Sequence, residues 1–448
     1  MDLTLSVSIL SLVYAAFGIL LRSKPQPFKA IGLLISALSF LSLLISADRN
    51  WNSQSGIFSL LISASAFLCI LSQQPRQLAT RSIASIVMLS SFSLACLDER
   101  VEPFIKLIAS ALLLLTFFVL AISGRKTSSI SKSTAAFFGI GLLCLVISFF
   151  AAGIAKSVLT LVVAAVFLPL LPLHGGFVGA LGCLPGTVRA FAALVLPCHG
   201  WHIIATQLMP FSDPLVSTVI ALAVCGGILS TIRAIAQIDI DQTFASVGTI
   251  LFSLAWLNIF TKAGNHDATG WYVVSVALAL NGLLLCTYHL RERYGENLRD
   301  SLPGLDQSMP RLGLAFRVLI LAAAGFPPFA LFGMTMAMVL TSSQLYVPLW
   351  VVVMSTVCSL LLVSVMQQLL FGARRTDLIY EDIRKSDLAA LAVLILLLFA
   401  SGAIPYTLES ASEREGAQRG TTVPALLTGR QLEYSESKSG KLILVRSS

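Results

Sequence analysis

An all-α, polytopic membrane fold is what this sequence predicts, and three observations predict it. Of 448 residues, 56% are hydrophobic and only 12% are charged, whereas a soluble domain carries roughly 25% charged residues. Apolar runs of about 20 residues, each long enough to cross a hydrocarbon layer, follow one another along the chain. The charges fall in short connections between these runs, with the cations gathered in alternate ones.

Taken in order, the runs place helices near 3–21, 28–47, 56–72, 82–97, 104–123, 134–153, 157–173, 187–207, 213–232, 242–261, 270–290, 312–340, 346–371 and 387–404, about fourteen in all. The first has the length of a signal peptide. It lacks a basic residue before it and a small-residue cleavage site after it, so it reads as a retained first helix. The seventh and twelfth carry prolines within them and read as interrupted. Residues 1–405 thus form a transmembrane bundle. Residues 406–448 are polar and Gly/Ser-rich without an apolar stripe, and read as a loosely ordered tail.

Loop charge sets the expected orientation. The connections after helices one, three and five hold Arg22, Lys24 and Lys29, then Arg76 and Arg81, then Arg125, Lys126 and Lys132. Those after helices two and four, DRNWNSQS and DERVEPFIK, are neutral or acidic. Arg291, Arg293 and Arg299, then Arg374, Arg375, Arg384 and Lys385, continue the bias. Positive residues stay on the cytoplasmic side, which puts both termini on the opposite face, periplasmic in a bacterial inner membrane. The +8 net charge is explained by this topology and does not indicate nucleic acid.

The eight cysteines lie singly, mostly inside apolar runs, with no CxxC spacing. That pattern argues against zinc, iron–sulfur or haem ligation, and no other cofactor motif is present. His199 and His202 have i, i+3 spacing but no carboxylate near them in sequence, so no metal site is read there.

The stretch from Val158 to Ile204 organises the rest. An apolar span runs into Pro169 and Pro172, reaches His174, loops through Gly175, Gly176 and Gly179, and restarts at Pro185 as a second apolar helix. Proline removes a backbone donor and breaks a helix. Interrupted backbone at membrane depth is tolerated where protein buries it or where it lines a watery cavity. Pro327-Pro328 mark a second break in helix twelve.

Ionisable residues inside a membrane are functional candidates by default, because burying them is costly. Here they are His174, Arg189, His199, His202, Arg233, Asp239, Asp241, His289 and Arg317. Arg233, Asp239, Asp241 and His289 fall near helix ends, from which they can reach the headgroups. His174, Arg189, His199 and His202 gather in sequence around the break, and with Asp239 and Asp241 they are the candidates for a proton or ion path.

Three segments resemble the antiporter-like membrane subunits of respiratory complex I, a family shared with Mrp-type cation/proton antiporters and membrane-bound hydrogenases. PLLPLHGGF is similar to the family's K-x-P-x-x-P-x-H-x-W-L-P signature, with Pro185 at the proline that opens the next helix. Ala236 to Ala255 resembles A-x-x-Q-x-D-x-K-R-x-x-A-Y-S-S. Met309 to Gly333 resembles M-P, a span, then G-x-P-P-x-x-G-F. The likeness covers roughly residues 80–370.

The resemblance implies a proton-translocating bundle with a central polar axis, built on a glutamate of helix five, lysines of helices seven and eight, and a lysine or glutamate of helix twelve. Carried over by position, these fall on Phe167 for helix seven, Pro197 or Cys198 for helix eight and Thr335 for helix twelve. Helix five, Phe104 to Ser123, has no interior glutamate. The lysine after Asp239 falls on Asp241, and W-L-P is Gly176-Phe177-Val178. Either the fold was kept and the pump lost, or the axis was rebuilt from residues such as His174, Arg189, His199, His202 and Asp241.

The function expected from the resemblance is that of a membrane subunit of a complex I-like or hydrogenase-type assembly, with other membrane subunits as partners. Alternatives are a subunit of an inorganic-carbon uptake system and a non-conducting structural scaffold. No Gly-rich phosphate loop or nucleophile–base pair marks an autonomous enzyme.

Overall fold

The computed structural model describes residues 11, 13–14, 25–46, 54–74, 79–123, 129–207, 213–260, 266–295, 304–341, 346–371 and 382–402. The expected helix at 3–21 lies largely outside them, and the tail at 406–448 lies wholly outside. The described residues are organised by helices. These are α1 Pro25–Ser46, α2 Gln54–Ser72, α3 Ala79–Leu97, α4 Pro103–Ile122, α5 Ser129–Phe150, α6 Gly153–Phe167, α7 Gly175–Cys183 and α8 Val188–Gln207. They continue with α9 Asp213–Ala236, α10 Ile240–Phe260, α11 His266–Tyr294, α12 Pro310–Ala323, α13 Ala330–Thr341 and α14 Tyr346–Leu370, and end with α15 Lys385–Gly402.

Eleven of these are long and apolar enough to cross a membrane. Two further spans are each split into half-helices, α6 with α7 and α12 with α13. Apolar side chains sort the helices into layers. α11 is buried along its whole apolar length and α10 nearly so, while α1, α5, α9 and α14 turn much of their apolar surface outward. A helix that is apolar all round belongs in a core, or faces lipid where protein does not cover it. Buried Ser85, Ser90 and Ser91 of α3 are satisfied inside their own helix. Ser85 Oγ donates to the Arg81 carbonyl at 2.8 Å and Ser91 Oγ to the Val87 carbonyl at 2.8 Å.

Contacts between distant residues show that successive spans alternate in direction. The start of α1 meets the end of α2, where Lys29 Nζ donates to the Leu71 and Gln73 carbonyls at 2.7 and 2.6 Å. At the same end, the Thr187 amide donates to Gln73 Oε1 at 3.1 Å, and the Gln74 amide to the Tyr288 hydroxyl at 3.0 Å. At the other end, Trp201 Nε1 donates to Gln54 Oε1 at 3.3 Å, and Ser275 lies 3.4 Å from Ser401. We call the first the basic end, because Lys29, Arg189, Arg291 and Arg384 all lie there; the second is the acidic end, with Asp98, Glu99 and Glu102.

Both expected breaks are present. α6 stops at Phe167, and Pro169 and Pro172 occupy the turn before α7. The backbone freed there is used, since Trp256 Nε1 donates to the Leu168 carbonyl at 3.2 Å, which removes the cost of an unpaired buried acceptor. Pro327 and Pro328 separate α12 from α13, and Ser359 Oγ donates to the Ala324 carbonyl at 2.8 Å. Two local expectations are corrected. Gly175, Gly176 and Gly179 do not form a loop: they open the half-helix α7. Tight packing explains it, because a Cβ on Gly179 would lie 1.9 Å from Thr134 Oγ1 of α5. Pro185 does not begin the next helix either; a turn with Gly186 at φ 55° intervenes, and α8 starts at Val188.

Candidate functional site

The basic end carries a network of four charges. Arg189, in the first turn of α8, donates through Nη1 to Asp241 Oδ2. Arg291, near the end of α11, donates through Nη2 to Asp239 Oδ1 at 2.7 Å and lies 2.9 Å from Asp241 Oδ2. Thr287 Oγ1 donates to Asp241 Oδ1 at 2.6 Å, and the Asp241 amide donates to Asp239 Oδ1 at 3.0 Å. Asp241 is fully buried. A buried carboxylate is stable only when paired and hydrogen-bonded, and two guanidiniums and a hydroxyl accomplish that. The network ties α8, α10 and α11 together.

His174 stands apart from it. As the residue before α7, its Nε2 accepts from Arg233 Nη1 of α9 at 2.6 Å. Beyond the break, toward the acidic end, lies a second polar group. His199 Nε2 is 3.3 Å from Ser110 Oγ of α4, which is 3.3 Å from Cys96 Sγ of α3. The His199 and His202 rings are 6.5 Å apart. Phe167 closes this group on the side of the break, with its ring edge-on to His199 at 4.7 Å.

The four residues gathered in sequence around the break therefore do not form one site. His174 pairs with Arg233, Arg189 with Asp241, His199 faces Ser110 of α4, and His202 lies against the Cys96 backbone of α3. Turning of the α8 helix separates them: Arg189 and His199 are ten residues apart, about 15 Å along the axis. The expectation that end-lying charges reach the headgroups is also corrected for Asp241 and His289. Asp241 and His289 are buried, and His289 Nδ1 lies 3.9 Å from Asp387 Oδ2. Arg233 is exposed but spends its guanidinium on His174, while Arg317 pairs with Asp306 at 2.8 Å. Sequence reasoning missed Arg291 as a partner of Asp239 and Asp241, because it reads as a topogenic loop cation. Ser110, Cys96 and Thr287 gave no signal at all, since small polar residues are common in such helices.

Between the two groups, α8 carries only apolar side chains and a thiol from Ala190 to Cys198, while elsewhere in the core Asn281 Nδ2 of α11 donates to Ser65 Oγ of α2 at 2.6 Å. Phe167 is fully buried and Cys198 nearly so. Thr335 donates its hydroxyl to the Leu331 carbonyl of its own helix at 2.7 Å. No lysine occurs between Lys156 and Lys262, or between Lys262 and Lys385. Among the described residues no three His, Cys, Asp or Glu side chains group as metal ligands.

The profile of a protein family described as NADH:quinone oxidoreductase/Mrp antiporter, transmembrane, matches residues 102–363. The chain belongs to this family. It is an antiporter-like, multi-pass membrane protein, as the three resembling segments imply. It is 25% identical over 154 residues to NADH-quinone oxidoreductase subunit N 1 of Rhizobium meliloti (strain 1021), a match covering 33% of this chain and 32% of that one. It is 30% identical over 119 residues to NADH-quinone oxidoreductase subunit N of Rhizorhabdus wittichii, covering 26% and 24%. The matched region thus spans about a third or less of these relatives' length.

Solved structures extend the likeness to nearly the whole fold. A chain of Thermus thermophilus respiratory complex I with bound NADH superposes with a TM-score of 0.77 at 16% identity, covering 90% of this chain and 96% of that one. The archaeal membrane-bound sulfane sulfur reductase gives 0.78 at 17% identity, with 88% and 75% covered. The Mrp complex of Dietzia sp. DQ12-45-1b gives 0.75 at 13%, with 91% and 96% covered. At these identities it is the antiporter-like fold that is shared.

Proposed function

We propose that this chain is a membrane subunit of a larger complex I-like assembly, and that it keeps the antiporter-like fold without passing protons from one membrane face to the other. One observation carries the second half. Along α8 the polar side chains gather in two islands, Arg189–Asp241–Arg291–Asp239 at the basic end and Ser110–His199–His202 toward the acidic end. Phe167, Cys198 and apolar helix surface lie between them. A direct proton transfer needs partners within hydrogen-bond distance, about 3 Å, and the two islands are separated by about 15 Å along α8. A buried lysine can carry charge across such a gap because its protonation shifts readily on burial, and Phe167 and Thr335 cannot.

Membership in a complex is supported by the company the fold keeps, since the similar chains come from a respiratory complex I, a sulfane sulfur reductase and an Mrp complex. In this reading the partners are other membrane subunits, the site is a bacterial inner membrane, and the basic end faces the cytoplasm. His174, Arg189, Asp239 and Asp241 hold the helices in register and do not conduct. The tail at 406–448 is a separate polar segment after the bundle.

Two measurements test this. Gentle extraction from native membranes should recover the chain with other membrane subunits; recovery of the chain alone would remove complex membership. In proteoliposomes under an imposed pH gradient, proton entry should match that of protein-free vesicles. Flux above that level, abolished by His199→Gln, would show that the islands are connected.

A further inference from the structure

His199 is 99% buried, and its Nδ1 has no hydrogen-bond partner in the protein. Its other nitrogen is engaged by Ser110. One ring nitrogen of a neutral imidazole is a donor and the other an acceptor, so in either tautomer a buried polar atom is left over. Leaving such a group unpaired costs about 1–3 kcal/mol, and buried polar atoms of this kind are commonly satisfied by internal water. His202 offers the second anchor. It lies one helical turn further along α8, with its ring tilted 37° to that of His199. A 6.5 Å centroid separation is too long for a direct bond between the rings and suits one bridging water.

The surroundings give this pair a direction. His202 lies against the backbone of Cys96 and within electrostatic reach of Lys106. Lys106 is in the first turn of α4, at the acidic end, and is partly exposed. Lys106 bears on His202, and next to the pair α3 contributes Cys96 and α4 contributes Ser110, both uncharged. On the opposite side Phe167 covers His199. Further along α8, Pro197, Cys198 and the apolar run back to Arg189 offer no titrating group apart from a thiol.

We propose that His199 and His202 bind a water molecule between them, forming a hydrated polar site on the acidic-end side of Phe167. It deepens the reading of a non-conducting bundle, and the two fail separately.

The experiment uses the full chain in lipid nanodiscs with ¹⁵N-labelled histidine and water-edited solid-state NMR. The His199 Nδ1 signal, assigned by its loss in His199→Gln, should show strong transfer from water protons. It should weaken at least several-fold in His202→Gln. Lys106→Met, which removes the charge bearing on His202 without touching the pair, should shift the His202 signals as pH is changed. A His199 ring as dry as the bundle core overturns the hydrated site and leaves the non-conducting reading standing. A wet His199 whose water contact is unchanged in His202→Gln overturns the bridge. If His202→Gln does not fold, an unshifted His202 spectrum in Lys106→Met overturns the placement of the site on the acidic-end side. Proton flux in wild-type proteoliposomes would overturn the non-conducting reading, whatever the NMR shows.

Discussion

The ring of Phe167 packs edge-on against that of His199, with centroids 4.7 Å apart. Phe167 is the last residue of α6 and stands where the resemblance to the family expects a lysine. The helix thus breaks in the family's manner, but its end carries a large apolar side chain. That exchange fills the core at the break and sets an apolar ring directly against His199.

Phe167 is fully buried, so its truncation should cost stability. Phe167→Ala leaves a cavity in the centre of the bundle and is expected to lose about 3–5 kcal/mol. Phe167→Leu keeps most of the volume and should lose markedly less. Thermal denaturation of the purified protein in one detergent, comparing both variants with wild type, checks the order. Equal losses would show that the site repacks and that Phe167 does not seal it.

The Arg189–Asp241 pair is buried at both partners. Asp241→Ala strands Arg189 and deprives Arg291 of one of its two carboxylates, and should cost about 3–5 kcal/mol. Replacing the pair together, as Arg189→Met with Asp241→Leu, removes the buried charges and should recover most of that loss, because Arg291 keeps Asp239 at 2.7 Å. A double variant no more stable than Asp241→Ala would mean that the network contributes more than charge compensation.

The helix positions were legible because apolar runs and prolines act locally: Pro169, Pro172, Pro327 and Pro328 fall at the breaks. The contents of the site were not. Arg189 and Asp241 are 52 residues apart, and Ser110 and His199 are 89 apart. Which face of α8 meets α4 is decided by packing over the entire bundle. The glycines of α7 misled for a related reason. Glycine weakens an isolated helix, yet at Gly179 only its missing side chain lets α7 approach α5.

Gly200 provides a sharper case of close approach. A Cβ there would lie 2.5 Å from the Leu168 amide nitrogen and 3.1 Å from the Ala164 carbonyl. Backbone atoms cannot move aside as a side chain can, so Gly200→Ala should push α8 away from the break and cost about 1–3 kcal/mol. The same displacement should expose His199. Melting temperature and the water contact of His199 should therefore change together in this variant. A Gly200→Ala protein as stable as wild type would show that α8 and the α6 end are less tightly joined than the structure has them.

Orientation can be tested on residues that are exposed at opposite ends. Glu99 lies in the connection between α3 and α4, and Arg311 opens α12 at the basic end; both are exposed. Cations are retained on the cytoplasmic side during insertion, so Glu99 should face outward and Arg311 inward. With the eight native cysteines replaced, Glu99→Cys should react with a membrane-impermeant maleimide in intact cells. Arg311→Cys should react only after permeabilisation. The reverse pattern would invert the bundle and place the His199 site toward the cytoplasm, leaving its internal geometry unchanged. Labelling of both cysteines in intact cells would mean that the chain inserts in two orientations, and that loop charge alone does not set its direction.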